Sequence, residues 1–538
     1  MAIASTNRTV KTLSWIGLGI VLALLLAFGR GTIASQAEAA TPKHYTELSF
    51  PPQPEPAPPD CERYQLDNGM TVYLLPDRDL PLVSGRAFVR TGSRLEPANK
   101  VGLAELAGKV LRTGGTQQHA LDELNRMLER RAALIETSIG TTRGEASFEA
   151  LRPDLDAVLD LFAQVLRQPA FAPDKIALAK TQKRGEIARR NDEAGRIAAR
   201  EFSELVYGDS SPYARIADYA TLNNISRADI IDFYQTYFRP DNIILGAIGD
   251  FEVAAMRNRI ARAFGDWEAP AAEPSPTVPA AGQARDGGIF VAEQSQLTQS
   301  YIRLGHLDGQ YDSEDYPALD VMNEALNGLG GRLFDRLRSQ QGLAYSVSGK
   351  WNPSYDYDGM FVAGGQTQSQ QTVPFIRSLR SELERMQREP LQEEALEGAK
   401  STILNAFPFE FEDPSQTLAR RMRYDYYDYP PDFLWQYRRG VEATTAEDVL
   451  RAVRESLHPE RLVTLVVGNP DAIEPGLEQL EQPVQTRDIT LPQPRQQQPM
   501  LPSPQLQSEP ASSGMPNELD GAAPLELQLG LGAAAVDG

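Results

Sequence analysis

The chain has 538 residues, with 53 Lys and Arg against 73 Asp and Glu and a net charge of −20. So acidic a chain lacks the basic footprint that phosphate binding needs, and no nucleic-acid partner is expected. Its one cysteine, Cys61, excludes both a disulfide framework and a thiolate metal cluster, and its 41% hydrophobic fraction is that of ordinary globular cores.

Arg8 and Lys11 precede an apolar-leaning run over residues 13–28, and Ala37-Glu38-Ala39 then offers a small-residue cleavage site. A helix over that run reaches about 24 Å, short of a hydrocarbon core of about 30 Å. Residues 1–39 therefore read as a secretory signal, with a membrane anchor over 13–28 as the alternative. The expected location is periplasmic or otherwise exported, touching a membrane only if this segment stays uncleaved. Residues 40–60, ending in PPQPEPAPPD, are a stiff extended spacer.

Two long blocks follow, 61–267 and 289–490, separated by the Pro/Ala-rich stretch 268–288. The tail, 491–538, turns Gln/Pro/Ser-rich and then Gly/Ala-rich without periodicity, and reads as disordered. The blocks are copies. SRADIIDFYQTYFRPDNIILGAIGD (Ser226–Asp250) and TAEDVLRAVRESLHPERLVTLVVGN (Thr445–Asn469) align without a gap. Each reads as an N-cap, an amphipathic helix, a proline break and a buried strand ending at glycine. FVRTGS (Phe88–Ser93) and YIRLGH (Tyr301–His306) read as a second pair of equivalent strands. Hairpin strands mixed with long helices predict an α+β class, each copy a sheet covered by helices. A proline-rich stretch with few contacts predicts separately compact halves.

In the first block, VGLAELAGKVLRTGGT (Val101–Thr116) predicts an amphipathic helix, and KRGEIARRND places Glu186 on a later one. Glu105 and Lys109 stand four apart, acid first, the favourable order for a helical ion pair. His44, His119, His306 and His458 are scattered singly, without a second ligand at metal spacing. In the second block, Gly330–Val347 reads GGRLFDRLRSQQGLAYSV. It predicts a helix with Leu333, Phe334 and Leu337 on its apolar face, a stop at Gly342, and a strand alternating through Leu343, Tyr345 and Val347. Taken locally, Arg338 complements a helix dipole and Tyr345 is a core residue.

The Gly330–Val347 block resembles the C-terminal signature of the pitrilysin/insulinase-like (M16) metallopeptidases, the family of the mitochondrial processing peptidase. Tyr64–Pro97 resembles that family's opening hairpin and Val101–Thr116 its metal-binding helix, so the resemblance runs over roughly 61–489. It implies two duplicated sheet-plus-helix domains facing across a cleft. It also implies that Arg338 and Tyr345 project into the peptide-cleaving site of a neighbouring N-terminal domain, with Gly330 and Gly331 in a substrate-contacting loop. Peptide-cleaving members carry His-x-x-Glu-His on the metal helix and a further Glu on a later one. Here the five positions are Glu105-Leu106-Ala107-Gly108-Lys109. Both imidazoles are gone, the general-base position is Gly108, and only the third-ligand position survives, as Glu186.

The resemblance thus implies a chain that binds no cofactor itself. It implies the non-catalytic, substrate-binding subunit of a two-chain peptidase, with zinc expected in a homologous partner carrying the intact motif. A stand-alone peptide-binding or scaffolding protein is the alternative. The Lys109 ammonium is expected where zinc would sit, paired with Glu105, Glu186 or both.

Overall fold

A computed structural model describes residues 61–268, 277–328 and 330–491. The signal or anchor segment, the spacer, most of the tail and part of the linker lie outside the described residues. Among those described, no helix is long and apolar enough to cross a membrane.

Residues 62–249 build a six-stranded sheet in the order β1-β2-β6-β3-β5-β4. Its strands are β1 (Glu62–Gln65), β2 (Thr71–Pro76), β3 (Leu82–Val89), β4 (Leu134–Ile139), β5 (Gly144–Leu151) and β6 (Ile243–Gly249). Four helices of this half matter below: α1 (Leu103–Thr113), α2 (Pro173–Ala188), α3 (Ala194–Tyr207) and α4 (Arg227–Tyr237). Residues 289–486 repeat the plan in the order β12-β7-β11-β8-β10-β9. Here the strands are β7 (Ile289–Glu293), β8 (Gln299–Leu307), β9 (Ser346–Asn352), β10 (Met360–Gln368), β11 (Val463–Gly468) and β12 (Val484–Thr486). Four of its helices are α5 (Tyr316–Asn327), α6 (Glu393–Ala406), α7 (Pro414–Tyr426) and α8 (Ala446–Ser456).

The duplication holds to the level of single hydrogen bonds. In α4 the Ser226 hydroxyl accepts from the Asp229 backbone N–H, and Asp229 accepts from that of Ser226; Thr445 and Asp448 repeat this box in α8. Each box satisfies two otherwise orphaned donors at a helix start and is worth about 1 kcal/mol. Helix and proline break then lead into β6 and β11, buried along nearly their whole length because both of their faces are covered. The second strand pair is equivalent in place but not in register. Phe88 pairs with Ile244, whose counterpart Val463 pairs with Gly305 rather than with Tyr301. The matching words FVRTGS and YIRLGH are thus displaced by four residues, an even shift that leaves the faces unchanged.

One face of each sheet packs on its own helices. The other face is covered by a helix of the opposite half. Phe202, Leu205 and Val206 of α3 pack on Phe290, Val463 and Leu465 of the second sheet. Leu418, Met422 and Tyr426 of α7 pack on Tyr73, Phe88 and Ile244 of the first. Buried polar links join the same surfaces. The Arg94 guanidinium donates two bonds to Asp356, at 2.9 and 2.7 Å. Arg487 donates to Glu201 at 2.7 Å and to Glu204 at 2.5 Å. The described part of the linker is no loose tether either. Ala284 donates to the Val206 carbonyl at 2.7 Å, and Gln283 bonds both the Arg461 carbonyl and the Leu307 N–H. The halves therefore share one compact unit with each completing the other's core.

Candidate functional site

Helix α1 begins at Gly102, whose φ of +99° a side chain would resist. The buried Glu96 carboxylate caps this start, accepting the N–H of Gly102 at 3.0 Å and of Ala104 at 2.8 Å. Burial dominates its titration and holds its pKa above the usual carboxylate range, against those two N–H bonds. From there α1 runs along β4. A Cβ at Gly108 would lie 2.5 Å from the Ile139 backbone nitrogen, and the Thr137 hydroxyl donates to the Gly108 carbonyl at 2.6 Å. The general-base position is therefore closed by strand backbone, and no longer residue fits there without moving β4.

Beside that contact, Glu105 lines a cavity of about 420 Å³ together with Glu96, Lys183, Glu186, Arg190 and Arg200. The cation between the carboxylates is Lys183 of α2, not Lys109. Its ammonium stands 2.6 Å from Glu105 and 3.1 Å from Glu186. Burial works to lower the Lys183 pKa, but hydrogen bonds and charge from Glu105 and Glu186 outweigh it and hold the value above that of ordinary lysine. Lys109 is half-buried, does not line the cavity and makes no ion pair among the described residues. The reason is geometric. Lys183 sits one turn before Glu186 on the same helix and faces α1, so one ammonium reaches both carboxylates at once. Sequence reasoning passed over it, although the i,i+3 spacing to Glu186 was there to read.

These residues do not fit zinc. The site offers two half-exposed carboxylates, no imidazole, and an ammonium between them. Among the described residues no three His, Cys, Asp or Glu stand close enough to hold a metal ion. Two histidines that the sequence shows far apart do meet. The His458 backbone N–H donates to His306 Nε2 at 3.1 Å, and the rings lie 5.3 Å apart. His306 is fully buried, with its Nδ1 3.0 Å from the Leu307 carbonyl. Both of its nitrogens are occupied by backbone.

In the second half, Leu333 and Leu337 are buried as expected, but Phe334 is 41% exposed. The helix here is a π-helix over Phe334–Gln340, and the Arg338 guanidinium lies over the Phe334 ring at 4.8 Å. Gly342 turns the chain with a φ of +63°. Strand β9 starts only at Ser346, so Tyr345 precedes it, held by its N–H to the Gln366 carbonyl at 2.8 Å. Its side chain is 71% exposed, not in the core. Gly330 adopts a φ of +78°, and a Cβ at Gly331 would meet the Leu326 carbonyl at 2.5 Å, so both glycines serve a tight turn. Neither Arg338 nor Tyr345 lines the cavity around Lys183.

Comparison with known proteins follows the same division. Residues 80–210 match the family model "Insulinase (Peptidase family M16)", and residues 224–403 match "Peptidase M16 inactive domain". An uncharacterized zinc protease, YmxG of Bacillus subtilis, is 21% identical over 67% of this chain and 86% of its own length. The non-peptidase homolog YmxG of Helicobacter pylori is 20% identical over 72% and 90%. Among solved structures, a peptidase M16 inactive domain from Pseudomonas fluorescens superposes with a TM-score of 0.69 at 21% identity, covering 78% of this chain and all of that one. With the duplicated sheets and both family models in agreement, the chain belongs to the insulinase-like M16 peptidase family.

Proposed function

We propose that this chain is the non-catalytic, substrate-binding subunit of a two-chain zinc metallopeptidase. Its partner is a homologous subunit bearing His-x-x-Glu-His and the zinc. The observation that carries this reading is the exposure of Arg338 and Tyr345, seven residues apart and away from the chain's own closed site. Two large exposed side chains, the guanidinium resting on the Phe334 ring and the phenol without a side-chain hydrogen bond among the described residues, suit a site completed by another molecule. There the guanidinium binds the peptide backbone or a carboxylate, and the Tyr345 phenol donates to the carbonyl oxygen as charge develops on it. The Lys183 ammonium between Glu105 and Glu186 supports the division of labour, since it already neutralises the two carboxylates. The subunit is proposed to work in the periplasm or an equivalent exported compartment.

The test is reconstitution. Alone, the chain should hydrolyse no peptide above background. Mixed with a homologue carrying the intact motif, it should assemble and support cleavage. In that complex Arg338→Ala or Tyr345→Phe should lower turnover about a hundredfold, the cost of one lost donor to a developing oxyanion. Arg338→Lys should rescue only in part, because an ammonium cannot make the planar two-pronged contact. Thermal melting and gel filtration separate loss of function from loss of fold. Mutant complexes that assemble, melt normally and cleave at the wild-type rate would leave the scaffolding reading as the better account.

A further inference from the structure

The two sheets differ in charge on the face that the opposite half covers. In the first sheet Arg86 of β3 pairs with Glu145 of β5 at 3.2 Å. Arg86 stands opposite Gly246 of β6, and the counterpart of Gly246 in β11 is Leu465, which stands opposite Arg303 of β8. Arg303 is therefore the repeat of Arg86. Its surroundings are not repeated. By the same registers Glu145 becomes Val362, Glu149 becomes Gln366, and Glu136 becomes Ser348. All three carboxylates are lost, while the cation is kept.

What remains is a half-buried guanidinium with neither ion pair nor hydrogen bond to any described residue. Gly364 lies between Arg303 and Ser348 in the cross-strand row, so no side chain covers the charge from that side. Arg303 instead lines a cavity of about 330 Å³ with Tyr301, Ser346, Ser348, Gln366 and Ala198 of α3. Burial alone acts on its titration and pulls it below the usual arginine value, with no neighbouring acid to oppose it. A cation even partly taken from water without a counter-charge is costly, and the hydroxyl and amide groups around it supply dipoles rather than a negative charge. The cavity also adjoins the proposed functional element, because Ser346 directly follows Tyr345.

We infer that Arg303 is a carboxylate-binding subsite, which takes a peptide's α-carboxylate or an acidic side chain into this cavity. That the carboxylate belongs to a peptide rests on the function proposed above. The guanidinium geometry favours a two-pronged contact, with Tyr301, Ser346 or Ser348 donating to the same anion.

The test uses the full chain and fluorescence anisotropy with three dye-labelled twelve-residue peptides in 0.15 M salt. One has a free α-carboxylate and no Asp or Glu, one is its amide, and one is the amide with a single central Glu. At least one acidic peptide should bind about tenfold or more tighter than the neutral amide. Which of the two binds identifies the source of the carboxylate. Arg303→Gln should reduce binding to the level of the amide, and Arg303→Lys should keep part of it. Val362→Glu should abolish it by restoring the pair that Arg86 makes with Glu145. Melting curves check each fold; if Arg303→Gln unfolds, the Lys and Glu variants carry the result. Equal binding of all three peptides, binding of none, or binding unchanged in these variants would overturn the subsite. The assay needs neither partner nor cleavage. Failed reconstitution with intact Arg303-dependent binding therefore refutes the subunit role alone, and the reverse pattern refutes the subsite alone.

Discussion

Gly108 of α1 and Ile139 of β4 stand so close that a methyl group on the glycine would meet the Ile139 nitrogen at 2.5 Å. Helix and strand have closed over the position where a peptidase of this family would carry its base. Gly108→Ala should accordingly cost about 1–3 kcal/mol in urea unfolding, the usual range for overpacking a tight contact. Rebuilding the motif as Glu105→His, Gly108→Glu and Lys109→His should give a protein without stoichiometric zinc or peptidase activity. A soluble triple variant that holds one zinc and cleaves peptide would show that the helix can withdraw from the strand.

Lys183 and Lys109 make a contrasting pair. Replacing Lys183 by Met removes the ammonium shared by Glu105 and Glu186 and leaves two carboxylates facing one another. Both carboxylates are about half exposed, so solvent screens them, and the expected loss is about 1 kcal/mol or less. Lys109→Met should change stability by less than about 0.5 kcal/mol. Equal effects of the two substitutions would contradict the pairing.

His306 gives the fold an acid-sensitive component. Burial is the main cause that pushes its pKa from 6.5 down to about 4, against the hydrogen bond to the Leu307 carbonyl, with His458 and Arg461 adding repulsion and Glu460 opposing. A depressed folded value means that the unfolded chain takes up the proton first. The stabilisation is therefore full above about pH 6.5, is lost as pH falls, and is exhausted below about 4. The shift corresponds to about 3 kcal/mol. His306→Gln should flatten the fall in melting temperature across that window, while wild type and variant should run parallel above pH 7. An unchanged slope would place the acid sensitivity elsewhere.

The exchange of α3 and α7 predicts how the protein behaves when cut. Expressed apart, 61–268 and 277–491 should each be insoluble or molten, because each exposes a sheet face carrying several large apolar side chains at about 1.5–3 kcal/mol apiece. Co-expressed, they should purify as a complex. Two separately folded, monodisperse halves would refute the mutual dependence.

How far the sequence could be read varies with distance along the chain. The α4 and α8 boxes were legible because Ser226 with Asp229, and Thr445 with Asp448, act across three residues. The displaced register of β3 and β8 was not, since pairing depends on β6 and β11, far away in sequence. Tyr345 was placed on an alternating strand, and β9 simply begins one residue later, which frees its side chain. The choice between Lys109 and Lys183 turned on how α1 packs against α2. An apolar helix face likewise announces that it will be buried but not against what, so the exchanged helices left no mark that pattern alone could interpret.

That exchange also sets a timetable for the newborn chain. The helix that seals the first sheet begins only at Pro414, so Tyr73, Phe88 and Ile244 have no cover while everything between is being synthesised. A polypeptide delivered from its N-terminus cannot finish its first half early and wait for the second. It must hold an open, sticky sheet until the last quarter of the molecule arrives, which makes a holdase chaperone a natural companion during biogenesis.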